Sequence, residues 1–302
     1  MMIVLAGWAF LVLPAILRSR LAILHPARAS RLARSSISAG ALLVVAGLIA
    51  TVAPTLLEGI GAHHLALLCR RLLHDLLSGG HVGGIIAAFA ATWVIARGIR
   101  TWLDLERGRR VARIEPWIGD HFEIDGHHLA VVPAIEPVAV ANKRQVVLSS
   151  GLLELLGDRE IELVTKHEIA HLRWRHHRYF TWAAIVESTV GALPFVASSV
   201  AALRFFVERW ADEEAAGHDK SARRTLSAAI TAVADRRPAP GLAGLAGSDQ
   251  VDERVRALTD GPTEHAPRLR MLTSSLACTV SLLWLGSVGV VTMSLVSGVG
   301  CS

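Results

Sequence analysis

The sequence predicts an α-helical integral membrane protein that carries a small α+β domain on one side of the bilayer. Apolar residues make up 52% of the 302 positions but aromatic residues only 5%, so the chain holds more aliphatic side chains than a soluble core of this size needs. The excess lies in four nearly charge-free blocks, at 2–17, 38–57, 80–97 and 272–298. Short β-branched runs and a histidine-rich motif between the third and fourth blocks predict the α+β domain.

The four apolar blocks are the predicted membrane spans. A helix needs about 20 apolar residues to cross about 30 Å of hydrocarbon, a length that every block except 2–17 reaches or nearly reaches. The first block follows no basic region and precedes arginines instead of a small-residue cleavage site, so we interpret it as an uncleaved anchor. Residues 1–97 are therefore predicted to hold three spans, and residues 272–302 a fourth span with a short tail.

The arginines predict the orientation of these spans in the cell membrane. Five arginines and no acid lie in the first loop: Arg18, Arg20, Arg28, Arg31 and Arg34. Six more follow the third span: Arg97, Arg100, Arg107, Arg109, Arg110 and Arg113. Because positive residues stay on the cytoplasmic side, we expect the amino terminus and loop 58–79 outside and 98–271 inside. The arginines fit contacts with the lipid bilayer and not direct nucleic-acid binding.

Leucines at helical spacing in 63–77 predict an interfacial helix on the outer surface.

Residues 98–271 are predicted to form one cytoplasmic α+β domain. Short, turn-bounded, β-branched runs predict a small sheet with strands at 128–133, 137–142 and 145–149. A short helix ending at Gly157 follows, and a longer helix capped by Asp158 is predicted to run to about Arg178. The Pro-, Gly- and Ala-rich stretch 236–250 predicts a mobile loop.

The main functional signal of this domain is the pattern HExxH, formed by His167, Glu168 and His171. Positions i and i+4 lie on one face of a helix, so both imidazoles can reach a single ion. Glu168 is then placed to touch whatever that ion binds. The alternative is a histidine-rich helix that fits the pattern by accident, since His176 and His177 follow closely. We interpret these last two as polar residues at the helix end, near the membrane.

A catalytic zinc ion needs a third protein ligand, and the segment ERWADEEAAG offers Glu208. Asp212 follows one turn later on the same face, where it can fix the tautomer of His167 or His171. Considered alone, the two acids could equally begin a solvated acidic helix. Together with HExxH they predict a zinc site with His167, His171 and Glu208 as ligands and Asp212 behind them.

The apolar stretch 181–207 between the two motifs poses a geometric problem. A straight helix of this length rises about 40 Å, whereas zinc ligands all lie about 2 Å from one ion. Gly191 and Pro194 offer a break near its middle. We therefore predict a helical hairpin that dips toward the bilayer or packs on the other spans and returns Glu208 to the histidines.

The combined pattern resembles the membrane zincins with a glutamate as third ligand. The stretch VVLSSGLLELLGDREIELVTKHEIAHLRWRH is similar in its order of strand, short helix and active-site helix. Two branches are close: the BlaR/MecR-type β-lactam sensor-transducers, and the heat-shock and CAAX-prenyl-protease type. Three spans, a cytoplasmic zincin-like domain and a fourth span resemble the first branch. The resemblance covers 80–298 loosely and 128–217 well. Because the sequence ends at Ser302, just past the fourth span, we do not expect that branch's extracellular penicillin-binding sensor.

The resemblance implies a zinc-dependent endopeptidase that acts in regulated proteolysis and signal transduction. Its substrates would be cytoplasmic or membrane-proximal proteins, with a transcriptional repressor or its own 236–250 loop as leading candidates. Glu168 would be the general base, and a substrate strand could add to the sheet edge near 137–142. The oxyanion donor stays open among His218, Arg254 and Arg256.

Two other functions remain open at this stage. A quality-control protease of the heat-shock and CAAX type would cleave many misfolded membrane proteins. A catalytically silent membrane signalling protein would keep the zinc fold without hydrolysis. A transporter is disfavoured, because the confident spans lack paired charges.

Overall fold

The computed structural model describes residues 2–73, 80–114, 121–124, 127–142, 145–236 and 248–260. The chain forms two compact units. Within the described residues, the first unit comprises 2–11, 36–73 and 80–96, and the second comprises the rest.

The described residues as far as Ile114 form helices joined by short connections. The helices are α1 (Met2–Ile16), α2 (Arg18–Ala22), α3 (Pro26–Gly59), α4 (His63–Leu73) and α5 (Gly80–Ile114). The residues of the first three predicted spans overlap α1, the carboxyl-terminal part of α3 and the first half of α5, and the predicted interfacial helix begins with α4. The predicted fourth span, 272–298, lies outside the described residues.

One helix in the described part of the chain is long and apolar enough to cross a membrane by length and composition, namely α3. The apolar stretch Ile3–Ile16 of α1 is shorter. These helices suggest association with a membrane. A multi-pass topology and its orientation stay predictions.

Helices α1 and α3 meet through glycines in the first unit. A Cβ atom on Gly40 would lie 2.6 Å from the carbonyl oxygen of Gly7 and 2.7 Å from the amide nitrogen of Leu11. A Cβ on Gly7 would in turn lie 2.8 Å from the amide nitrogen of Val44. The two backbones thus touch where neither residue has a side chain, a mode of packing common between membrane helices.

A four-stranded sheet follows α5 in the chain. Its strands are β1 (His121–Ile124), β2 (His127–Val132), β3 (Ala139–Asn142) and β4 (Gln145–Ser149), in the spatial order β1-β2-β4-β3. β2 and β4 are parallel, whereas β1 and β3 each pair antiparallel with their neighbour. The three predicted strands coincide with β2, β3 and β4 to within two residues, while β1 is absent from the prediction. β3 forms one edge of the described sheet.

The helices that follow are α6 (Ser150–Leu155), α7 (Asp158–Arg173), α8 (His177–Val190), α9 (Val196–Ala216), α10 (Lys220–Arg236) and α11 (Ser248–Asp260). Two apolar clusters join these helices, apart from α8, to the sheet and to one another. The first comprises Leu129, Val146, Leu148, Leu152, Leu156 and Ala229. The second comprises Leu163, Ala215, Ala216, Ala222, Leu226 and Leu258. Helix α7, the carrier of HExxH, packs between the sheet and helices α9 and α10.

Three boundaries differ from the prediction. Gly157, not Asp158, is the N-cap of α7, and the Glu160 carboxylate accepts a hydrogen bond from the Gly157 amide at 3.0 Å. α7 ends at Arg173 instead of about Arg178, because Arg175 adopts a left-handed backbone with φ 54° that turns the chain before α8. Both ends of the predicted loop 236–250 are helical, since α10 includes Arg236 and α11 starts at Ser248; residues 237–247 lie outside the described part.

The segment between the two motifs consists of two helices. α8 ends at Val190, and α9 begins at Val196 after Phe195, which has a positive φ of 62°. The break thus lies where the sequence predicts it. Arg204 on α9 donates a hydrogen bond to the Glu187 carboxylate on α8 at 2.8 Å, which holds the two arms together.

The amino-terminal segment 12–35 packs on α9 within the second unit. The Ser199 hydroxyl accepts a hydrogen bond from the Ala15 amide, and Arg209 donates to the Ala22 carbonyl at 3.0 Å. The Arg31 guanidinium lies over the Trp210 ring at 5.4 Å from its centroid. Some of the arginines interpreted as orientation signals therefore also hold this segment on the domain.

Candidate metal centre

His167 and His171 project from one face of α7 toward Glu208 on α9. Their Nε2 atoms are 3.1 Å apart. The Glu208 carboxylate lies 3.5 Å from Nε2 of His167 through Oε2 and 3.6 Å from Nε2 of His171 through Oε1. Two successive turns of α7 and one residue of α9 thus place two imidazole nitrogens and the two oxygens of one carboxylate around one point.

The three residues fit a zinc ion in geometry and in chemistry. Zn–N and Zn–O bonds of 2.0–2.1 Å in a tetrahedral site give ligand-to-ligand distances of about 3.3–3.4 Å. The separations of 3.1, 3.5 and 3.6 Å are close to this value. Two imidazoles and a carboxylate form a donor set that suits zinc. His167, His171 and Glu208 are also the group of three that could hold a metal ion within the described residues.

Asp212 lies beside Nδ1 of His167, one of the two histidines that its one-turn spacing from Glu208 allows. Its Oδ1 is 3.0 Å from Nδ1 of His167, and its side chain is only 2% exposed. Arg254 on α11 donates two hydrogen bonds to the same carboxylate, at 2.8 Å from Nε and 2.7 Å from Nη2. Nη1 of Arg254 also lies 3.1 Å from Oε2 of Glu208. One guanidinium thus pairs with a candidate ligand and with the acid behind the histidine.

These charges set the ionisation of the metal-free centre. Burial would lower the pKa of His167, but the carboxylates of Asp212 and Glu208 outweigh it and raise this pKa to about 10. Burial would raise the pKa of Asp212, but Arg254 and His167 lower it to about 2. Glu208 is likewise held well below its usual pKa, against burial, by Arg254 and the two histidines. Both carboxylates are therefore anionic at neutral pH.

The structure contradicts the interpretation of His176 as a polar residue at the helix end near the membrane. It is fully buried, and its Nδ1 lies 3.0 Å from Nδ1 of His171. The reason is the left-handed turn at Arg175, which carries the chain back under α7 instead of extending the helix. Sequence spacing could not show this contact, because it depends on where α7 stops.

Glu168 follows His167 on α7 and is half-buried. Burial would lower the pKa of Arg254, but the negative charges of Asp212, Glu208 and Glu168 keep it above its usual range. Glu168 therefore contributes to the electrostatics of the same centre.

Of the three residues proposed for the oxyanion, His218 and Arg256 are exposed, whereas Arg254 borders the centre. Arg254 is already engaged by two carboxylates, a role that the sequence did not reveal.

Part of the chain matches a known protein family. Residues 128–234, from β2 to α10, match the model of peptidase family M48. M48 peptidases are zinc metallopeptidases, so the match implies a metallopeptidase domain and supports the membrane-zincin resemblance at a coarse level. No match was found among curated proteins or solved structures.

Proposed function

We propose that this protein is a membrane-anchored zinc endopeptidase that cleaves cytoplasmic or membrane-proximal segments of other proteins. The observation that carries the proposal is the convergence of His167, His171 and Glu208 on one point, with Glu168 following His167 in the chain. The family match over 128–234 supports the peptidase class independently of this geometry.

Three residues of the centre would bind the metal, and a fourth would transfer a proton. His167, His171 and Glu208 would hold zinc, which when bound supplies a Lewis acid that polarises a peptide carbonyl and activates water. Glu168 accepts the proton of the attacking water on its carboxylate and passes it to the leaving amine. Asp212 holds the Nδ1 side of His167, and Arg254 keeps Asp212 and Glu208 anionic.

The edge strand β3 is the proposed docking place for an extended substrate. It pairs with β4 on one side, and it packs against α7, the carrier of HExxH. The connection that leads into β3 is fixed by Ser149, whose hydroxyl donates to the Glu136 carbonyl at 2.7 Å and accepts from the Val138 amide at 2.9 Å. An edge of sheet held in this way can receive a substrate strand through main-chain hydrogen bonds.

We further propose that the protein lies in the cell membrane as a multi-pass protein with the peptidase domain in the cytoplasm. Helix α3 supports a membrane anchor. The arginines of 18–36 and 97–113 support the orientation. The resemblance to sensor-transducers favours regulated proteolysis, with a transcriptional repressor or the chain's own 236–250 segment as substrate. The alternatives are a quality-control protease and a silent signalling protein.

Glu168→Gln tests the peptidase class. This variant removes the proposed base but no metal ligand, so it should keep about one bound zinc per chain and lose proteolysis. His167→Ala, His171→Ala and Glu208→Ala should each lose most of the zinc. Metal analysis of the purified full-length protein in detergent gives the first readout, with each variant compared with wild type. Full proteolysis by Glu168→Gln would refute the mechanism.

Mapping of new protein amino termini in cells that carry wild type or Glu168→Gln identifies the substrates. One or two sites that require Glu168 would support regulated proteolysis. Many sites in unrelated membrane proteins would instead support quality control. No site that depends on Glu168, in a protein that binds zinc, would support the silent signalling protein.

A further inference from the structure

The two candidate zinc histidines have different partners on their outer nitrogens. Nδ1 of His167 faces the carboxylate of Asp212 at 3.0 Å, whereas Nδ1 of His171 faces Nδ1 of His176 at 3.0 Å. The rings of His171 and His176 meet edge to face, with centroids 4.8 Å apart and planes at 83°. One histidine is therefore backed by an acid and the other by a second imidazole.

The ring of His176 is fixed in place from several sides. Its backbone amide donates to the His171 carbonyl at 3.0 Å, directly after the left-handed residue Arg175. Its ring centroid is 4.7 Å from that of Trp210 and 6.2 Å from that of Tyr179. The side chain has no exposed surface. Such a ring cannot turn away from His171 without opening the packing of α9 on this turn.

The proton between the two rings can be assigned from geometry. Nε2 of His171 faces His167 and Glu208, so it must be free of a proton to bind an ion there. The proton of a neutral His171 then resides on Nδ1. Two nitrogens at 3.0 Å need one donor and one acceptor, so with the proton of His171 on Nδ1 the Nδ1 atom of His176 accepts. A neutral His176 then carries its own proton on Nε2, a buried atom without a hydrogen-bond partner among the described residues.

We propose that His176 is a positioning residue, a neutral acceptor that fixes the tautomer and ring plane of His171 so that Nε2 faces the metal. The inference rests on the proposed zinc site. It assigns a role to a histidine outside the HExxH pattern. Partners on the outer nitrogen of a ligating histidine orient it, and their loss lowers metal affinity about 10–100-fold.

Charge explains why an imidazole suits this position. The centre already holds three carboxylates, from Glu168, Glu208 and Asp212, against the guanidinium of Arg254. A divalent ion brings this set to neutrality. An acid behind His171 would add a further buried negative charge, whereas His176 supplies an acceptor without one.

Three substitutions at His176 distinguish the role of its hydrogen-bond acceptor from the role of its packing. His176→Phe keeps an aromatic ring and removes the acceptor. His176→Leu removes both the acceptor and the ring, with a side chain smaller than that of phenylalanine. His176→Asn restores an acceptor close to the position of Nδ1. His177→Ala, the next residue in the chain, is the matched control. Each is compared with wild type as purified full-length protein in detergent, by competition for zinc with a chromophoric chelator and by the visible absorption spectrum of bound Co²⁺.

We expect His176→Phe and His176→Leu to bind zinc about 10–100-fold more weakly than wild type and to change the Co²⁺ spectrum. His176→Asn should bind within a few-fold of wild type, and His177→Ala should match it in both measurements. Wild-type affinity and spectrum in the Phe or Leu variant would overturn the positioning role, as would an Asn variant as weak as the Leu variant. Zinc binding without proteolysis in wild type would contradict the proposed function alone, and a wild type that binds no zinc would contradict both.

Discussion

Arg254 on α11 donates two hydrogen bonds to Asp212 on α9, at 2.8 and 2.7 Å, and the same guanidinium lies 3.1 Å from Glu208. The two carboxylates are thus held by one cation from a helix further along the chain, 42 positions beyond Asp212. Asp212 in turn faces His167. The docking of α11 on α9 therefore determines both the charge and the orientation of the candidate metal centre.

Removal of Arg254 should destabilise the protein as well as weaken its metal site. Arg254→Ala leaves a buried carboxylate without its cation, a change that costs about 3–5 kcal/mol in the free energy of unfolding. Arg254→Lys should lose less stability, because lysine keeps the charge but cannot form the two-pronged contact. Thermal unfolding of the purified protein in detergent measures both effects.

Arg256→Ala is the matched control for Arg254, since Arg256 lies on the same helix and is exposed. Its melting temperature should stay close to that of wild type. Equal melting temperatures for Arg254→Ala and Arg256→Ala would show that the Arg254–Asp212 contact does not stabilise the fold.

Zinc binding should release a proton from His167. Burial would lower the pKa of this residue, but Asp212 and Glu208 raise it to about 10, so the metal-free residue is protonated at neutral pH. A ligating imidazole is neutral, and the apparent zinc-binding constant should therefore rise about tenfold per pH unit between about pH 7 and 9. Above the raised pKa the dependence should vanish. Titration calorimetry in buffers of different ionisation enthalpy counts the proton, and Asp212→Asn should reduce the slope. A zinc affinity independent of pH over this range would contradict the assignment.

Features that depend on local spacing could be predicted from the sequence. The i, i+4 positions of His167 and His171 place both on one face of any helix. Zinc geometry requires Glu208 to return to them, which predicts the break that the structure has between Val190 and Val196. The strands β2, β3 and β4 followed from their β-branched runs and turn residues.

Features that depend on tertiary packing could not be predicted. β1 is short, and its pairing with β2 becomes visible only in the folded sheet. The contact of His176 with His171 arises because α7 stops at Arg173, and helix ends are poorly determined by sequence. Arg254 is one of three candidates for a different role, and its pairing with Asp212 requires the docking of α11 on α9.

The proposed orientation can be tested with exposed residues on the two sides of the predicted membrane. In a background with Cys69, Cys278 and Cys301 replaced by serine, His64→Cys should react with a membrane-impermeant thiol reagent in intact cells. Lys220→Cys should react only after the cells are opened. Both parent residues are exposed, so a difference reports the side of the membrane and not burial. Labelling of Lys220→Cys in intact cells would place the peptidase domain outside and refute a cytoplasmic substrate.

The contact of α1 with α3 gives a prediction that is independent of the metal centre. A Cβ atom on Gly40 would lie 2.6 Å from the Gly7 carbonyl oxygen, a backbone atom that cannot move without its helix. Gly40→Ala should therefore push α1 away from α3 and cost about 1–3 kcal/mol, the usual effect of overpacking.

Gly59→Ala is the control for Gly40→Ala, because it adds the same methyl group to the same helix. A Cβ at Gly59 meets no atom within 4 Å, so this variant should unfold at or slightly above the wild-type temperature, as alanine favours helix over glycine. Thermal unfolding of the two purified variants in detergent makes the comparison. If Gly40→Ala is as stable as Gly59→Ala, α1 does not pack on α3 through these glycines, and an anchor built from the two helices loses its structural support.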